Sequence, residues 1–475
     1  MTRHLIGLRT AALAAVLGLL LLSAPPAAAV PFPIADPAAL PAAAPPAPPA
    51  DGMRQNGKCI VNGALPGFDP AMVPPSQAMM NLPDAWKASV NPAGGARGSG
   101  VTVVVIDSGV ARQPRLPNLS GGGDYIEAGD GLVDCDGHGT AVAGIIGAAP
   151  GPDGFSGVAP DAKLISIRQS SAQFSPKTPP GGDPTVARTA GNVGTLAQAI
   201  RTGADLAPHG VMNISAIDCF PVVKNVDQAA LGAALHYAAT EKDVVVVAAA
   251  GNTGGGGELG AQGNCESNPL MDPKHPEDPR NWAGATSIST PSYWQPYVLS
   301  VASLTPTGQP SAFSMAGPWV GIAAPGEQIV SLGNGPDSGL INGQPSNKEP
   351  LVPINGTSFA APYVAGTAAL VRSKFPDLNW HQVINRLVAS AHNAARAPSN
   401  QVGAGVLDPV AALTWDIPNA EELPAHMPVI RVAPPAPAPR DDPWPRRIAI
   451  GVGTLAVASV LIVMAVKGIR RDDST

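Results

Sequence analysis

Apolar residues recur along this chain in two alternating rhythms. Residues 101–106 (Val-Thr-Val-Val-Val-Ile) are a nearly unbroken β-branched run, the pattern of a strand covered on both faces. Residues 162–168, 211–217, 244–249 and 297–304 repeat that pattern. Between them, 141–147, 195–202, 226–242 and 359–374 carry small and apolar residues at helical spacing, which predicts helices packed on the strands. Leu82-Pro83-Asp84-Ala85-Trp86 predicts a short helix leading into this region. Alternation of this kind over roughly 300 residues predicts an α/β fold, a doubly wound parallel sheet with helices on both faces. Residues 170–190 and 254–290 are rich in Gly and Pro and are expected as surface insertions.

The two ends follow other rules. Arg3 and Arg9, an apolar stretch at 11–22 and Ala27-Ala28-Ala29 make residues 1–29 a secretory signal with a mature start at Val30. Residues 30–81 form an extension, Ala/Pro-rich at first and bearing Cys59 further on. It is either an inhibitory propeptide or a permanent strap, and Cys59 favours the strap, because a disulfide holds the segment after a backbone cut. The main domain then covers 82–415, followed by a Pro-rich linker over 416–447.

Residues 448–466 are 19 uncharged, mostly apolar residues flanked by basic ones. At 1.5 Å per residue they span about 28 Å, the thickness of a bilayer's hydrocarbon. The cleaved signal exports the body of the chain, so residues 467–475 become a short cytoplasmic tail.

Composition narrows the function classes. Apolar residues at 45% are ample for a core, and the net charge of −6 comes with no basic stripe, so nucleic-acid binding has no support. The four cysteines, Cys59, Cys135, Cys219 and Cys265, are an even number in an exported chain, which predicts two disulfides. Their spacing fits no zinc pattern and leaves three pairings open. No metal and no cofactor is expected.

Three short stretches carry the chemistry. Asp107 follows the first buried run, in Val105-Ile106-Asp107-Ser108-Gly109, at the carboxyl end of a strand where open sheets build ligand sites. His138 lies between glycines in Asp136-Gly137-His138-Gly139-Thr140, which lets backbone and substrate approach the ring. Ser358 opens a predicted helix in Asn355-Gly356-Thr357-Ser358-Phe359-Ala360-Ala361-Pro362, where unpaired N–H groups and the helix dipole favour a developing oxyanion. Each stretch alone passes for an ordinary turn or cap; together they supply the carboxylate, imidazole and hydroxyl of an acyl-transfer nucleophile. Asn252 follows the 244–249 strand closely and is expected to offer its amide to the oxyanion.

The order Asp, His, Ser is that of subtilisin-like enzymes, and residues 82–413 resemble a subtilase, ending in Gly403-Ala404-Gly405-Val406-Leu407-Asp408. More narrowly, Asp134-Cys135-Asp136-Gly137-His138, the Cys59-bearing extension, the Pro-rich linker and the C-terminal span resemble the mycosins, membrane-anchored subtilases of type VII secretion systems. That resemblance implies a serine endopeptidase acting on protein or peptide substrates, with its catalytic domain on the extracytoplasmic side of the cell membrane. It also implies a type VII membrane complex as partner, disulfides Cys59–Cys135 and Cys219–Cys265, and an extension that wraps the domain. One departure stands out. Subtilases carry Ser-x-Gly on the segment that pairs with substrate, whereas this chain has Ser215-Ala216-Ile217. Ser215 keeps the expected substrate-binding role, and Ile217 implies narrower non-prime pockets. No family calcium loop stands out.

Overall fold

The computed structural model describes residues 30–178, 190–254, 265–272, 274–275, 277–335, 339–346, 350–392, 398–418, 454–455 and 458–459. Its centre is a seven-stranded sheet of β1 (Thr102–Asp107), β2 (Leu119–Asp124), β3 (Lys163–Arg168), β4 (Val211–Ile214), β5 (Val245–Ala249), β6 (Val298–Leu304) and β7 (Val320–Pro325). The spatial order is β7-β6-β5-β4-β1-β3-β2, and every pairing is parallel. All residues from Val103 to Asp107 are buried. Successive side chains point to opposite faces, so both faces of the sheet must be covered.

Two groups of helices cover them. α3 (His138–Gly147) and α6 (Thr357–Lys374) pack on each other and on the central strands, while α4 (Val193–Leu206) pairs with α5 (Ala229–His236). α6 is buried around nearly its whole circumference, as a helix must be when it runs through the core. Before the sheet come α1 (Pro75–Met80) and α2 (Leu82–Ala88); after α6 come α7 (Trp380–Ser390) and α8 (Pro409–Thr414). The chain leaves β1 toward one edge, through β2 and β3, and then crosses to the other side. Strand order therefore reverses at β1, and a crevice opens outside the carboxyl ends at such a point. Asp107 is the last residue of β1.

The extension is held along the domain. Met53–Gln55 pairs antiparallel with Phe174–Pro176, Cys59 is bonded to Cys135, and Gly63 bridges to Gly343. The other disulfide joins Cys219 to Cys265, beside an antiparallel pair of Asp218–Pro221 with Ser287–Thr290.

Several expected elements shift. The 211–217 run leaves the sheet after Ile214, and Ser215 turns to meet the start of α6. The 226–242 helix begins at Ala229 and widens into a π turn over Tyr237–Glu241. β2 was not expected: Leu-Ser-Gly-Gly-Gly-Asp has low strand propensity, and the strand exists because β3 pairs with it. Among the described residues no helix is long and apolar enough to cross a membrane. The expected span at 448–466 lies almost wholly outside the described residues, as do the signal at 1–29 and the linker from 419 onward.

Candidate active site

One strand end, two helix starts and one loop supply the groups at the crevice. Asp107 is 1% exposed. Its Oδ1 accepts from the Ser108 N–H at 2.7 Å and lies 2.7 Å from His138 Nδ1. An ionised carboxylate offers only lone pairs, so the imidazole proton sits on Nδ1 and Nε2 is left as a base. Asp107 Oδ2 is buried with no hydrogen-bond partner among the described residues.

His138 is the first residue of α3, following Gly137 at φ 71°. A Cβ at residue 137 would press on Asn62 and Asn334, so both the conformation and the space call for glycine. Burial pulls the His138 pKa down, but the charge and hydrogen bond of Asp107, with Asp134 and Asp136 behind it, outweigh this and the net shift is upward. The ring leans on Phe359 with centroids 5.0 Å apart, which brings the start of α3 to the start of α6.

Ser358 is the second residue of α6 and is 9% exposed. Its hydroxyl donates to the Ser215 carbonyl at 3.2 Å, and the Ser215 hydroxyl donates back to the Ser358 carbonyl at 2.8 Å. The second bond has a local cause. Pro362 has no N–H to complete the helical bond to residue 358, and the freed carbonyl is taken by Ser215. Asp107 and His138 are hydrogen-bonded in this structure, whereas the Ser358 hydroxyl goes to Ser215 and the ring of His138 meets Phe359, the residue after Ser358. Nucleophile–base bonds of unliganded sites are often loose in this way.

Asn252 follows Gly251, which has φ 114°. Its Oδ1 accepts from both the N–H (3.0 Å) and the hydroxyl (2.9 Å) of Thr357. With the amide oxygen so occupied, the NH2 is the end left to donate. The Gly251 N–H donates to the same Thr357 hydroxyl at 3.2 Å. Thr357 was missed in the sequence, where its only signal is a hydroxyl directly before the nucleophile. Ile217, the departure noted above, is half-buried and packs against the core.

The loop before His138 is a second omission. Asp134 and Asp136 are both buried, and burial pushes both carboxyls up, Asp134 to about 6. Asp136 accepts from the Ser171 hydroxyl (2.5 Å) and the Ala172 N–H (2.8 Å). Ile60 N–H donates to the Cys135 carbonyl at 2.8 Å, and the Asn62 amide to the Gly137 carbonyl at 2.9 Å.

 That backbone bond sits next to the Cys59–Cys135 disulfide, so the extension runs alongside the His138 loop. Among the described residues, its hydrogen bonds here go to the Cys135 and Gly137 carbonyls and, from the Gln55 amide, to Cys135 Sγ, and not to the side chains of His138 or Ser358. Among those residues no group of His, Cys, Asp and Glu is arranged to hold a metal ion.

A carboxylate–imidazole pair beside a helix-start hydroxyl and a fixed amide is what hydrolytic acyl transfer requires. The subtilase family matches this chain over residues 98–405, which takes in all four groups. The chain belongs to the subtilase family. It is a serine endopeptidase of the mycosin type. Mycosin-3 of Mycobacterium tuberculosis is 54% identical to it over 94% of both chains, and Mycosin-1 of Mycolicibacterium smegmatis is 42% identical over 98% of this chain and 99% of its own. The solved structure of the MycP3 protease from the type VII (ESX-3) secretion system superposes with TM-score 0.73 at 56% identity, covering 82% of this chain and 100% of that one. A chain in the intact ESX-5 inner membrane complex gives TM-score 0.75 at 44% identity, covering 92% and 100%.

Proposed function

We propose that this subtilase is a membrane-anchored endopeptidase that works through Asp107, His138 and Ser358 and serves a type VII secretion system. His138 Nε2 takes the Ser358 proton as the hydroxyl attacks the scissile carbonyl, and Asp107 stabilises the imidazolium that forms. The tetrahedral oxyanion is held by the Asn252 amide and the Ser358 N–H. His138 then protonates the leaving amine, and water releases the acyl group by the same steps in reverse order. Ser215 pairs with the substrate backbone, and Ile217 narrows the pockets on that side. The observation that carries this reading is the 2.7 Å Asp107–His138 bond at the mouth of the crevice, beside the start of the helix that bears Ser358.

The layout follows from the sequence: signal 1–29, strapped extension 30–81, catalytic domain 82–415, linker 416–447, membrane span 448–466 and cytoplasmic tail 467–475. The Cys59–Cys135 bond and the pairing of Met53–Gln55 support a strap that stays in place. A second role, stabilising the secretion complex, is favoured by the likeness to a chain in the ESX-5 inner membrane complex. One experiment tests both. Cells carrying Ser358→Ala, cells lacking the gene and wild type are compared for peptide cleavage by the purified protein and for secretion. The reading expects Ser358→Ala to lose at least about a thousandfold in cleavage while keeping more secretion than the deletion. Undiminished cleavage would remove Ser358 as the nucleophile, and secretion lost equally in both strains would remove the stabilising role.

A further inference from the structure

One buried carboxylate grips both strands of chain that carry the Asp–His pair. Asp134 Oδ1 accepts from the Ser108 hydroxyl (2.9 Å) and from the N–H groups of Asp136 (3.2 Å) and Gly137 (2.8 Å). Its Oδ2 accepts from the Thr140 N–H (2.8 Å) and hydroxyl (2.6 Å). Ser108 directly follows Asp107, and Gly137 directly precedes His138. The Ser108 hydroxyl also accepts from the Gly139 N–H at 3.0 Å, so the residues on both sides of His138 in the chain, Gly137 and Gly139, are tied to the Asp107 turn through Asp134 and Ser108.

We propose that Asp134 is a positioning residue for catalysis, whose ionised carboxylate fixes His138 against Asp107 and adds a negative charge behind the ring. The proposal rests on the reading of His138 as general base. Its physical basis is that all five partners donate. A protonated carboxyl would turn an O–H toward donors, whereas the ionised form satisfies them all with charge-assisted bonds. The charged groups around this point are Asp107 at the end of β1, Asp136 in the same loop, the His138 ring, and Arg168 at the end of β3, which acts on Asp136. The stretch of extension that touches the loop brings Gln55, Cys59, Ile60 and Asn62, all uncharged. Asn334, whose amide donates to the Asp134 and Ile60 carbonyls, is uncharged too. Asp134 pushed up to about 6 by burial remains ionised at neutral pH.

The test uses the full-length protein in detergent and a fluorescent alkyl fluorophosphonate, which phosphonylates the activated serine with loss of fluoride. The saturating rate, the half-saturating probe concentration and the pH midpoint of the rate are measured for wild type, Asp134→Asn, Ser108→Ala and Ser358→Ala. Asp134→Asn is expected to slow the saturating rate about tenfold to a hundredfold, as small misplacements of a base do. Half-saturation should move by less than about twofold, and the pH midpoint should fall because a negative charge near the ring is gone. Ser108→Ala cuts one arm and keeps the charge, so the rate should drop with the midpoint in place. A merely structural Asp134 would reduce the fraction of protein that labels and leave the rate and midpoint of the remainder unchanged, which would overturn the proposal. If Asp134→Asn does not fold, Ser108→Ala decides it: a wild-type saturating rate overturns the proposal. Labelling of Ser358→Ala at the wild-type rate would instead defeat the underlying reading of the nucleophile.

Discussion

Around His138 three buried carboxylates, Asp107, Asp134 and Asp136, surround one imidazole, whereas the groups that hold Ser358 and Asn252 are all neutral. Those groups are the Ser215 hydroxyl and carbonyl, the Thr357 hydroxyl and N–H, and the Gly251 N–H. The base half is also tied to the extension by a disulfide, while the nucleophile half rests on a helix buried in the core. Under the proposed mechanism the contrast follows from what each half must do. A base has to change charge during the reaction, and nearby carboxylates set the pH at which it does so. A nucleophile and an oxyanion donor need only stay in place, which neutral hydrogen bonds and packing accomplish without coupling to pH.

The comparison can be broken from the neutral side. Asn252→Ala removes an oxyanion donor and is expected to lower kcat about 10²–10³-fold with KM little changed; loss confined to KM would place Asn252 in ground-state binding instead. Thr357→Val removes the hydroxyl that donates to Asn252 and accepts from Gly251. It should cost about tenfold in kcat, less than losing the donor itself, because the Thr357 N–H still holds the amide oxygen. In both variants the pH–rate midpoint should match wild type. A shifted midpoint in either would show that the two halves are electrically coupled, contrary to the contrast drawn here.

Much of this was legible in the sequence because it is local. The β-branched run at 101–106 marks a strand buried on both faces, and Asp107 closes it. The eight residues at 355–362 mark a helix start at Ser358, the proposed nucleophile, and include Pro362, whose missing N–H frees the Ser358 carbonyl for Ser215. The parts that were not legible depend on distant contacts. Leu119–Asp124 looks like a loop until β3 pairs with it. Thr357 looks like any residue beside a serine until Asn252 and Gly251 fold against it. Asp134 stands in a motif noted for its cysteine, and its grip on Ser108 spans 26 residues of chain. The cysteine spacing alone left three pairings open; the mycosin resemblance implied Cys59–Cys135 and Cys219–Cys265, and the fold forms both.

The central claim is that His138, its pKa raised by its carboxylate neighbours, activates Ser358. Raising the pKa means that the ring keeps its proton to higher pH and becomes a base only as pH climbs past that point. The direct measurement is the rate of fluorophosphonate labelling of the wild-type protein as a function of pH, with the modified residue located by mass spectrometry. The account predicts an adduct on Ser358 that forms faster as pH rises, through a midpoint above the ordinary histidine value of 6.5. An adduct on another residue, a rate that does not change with pH, or a midpoint below that value would contradict it.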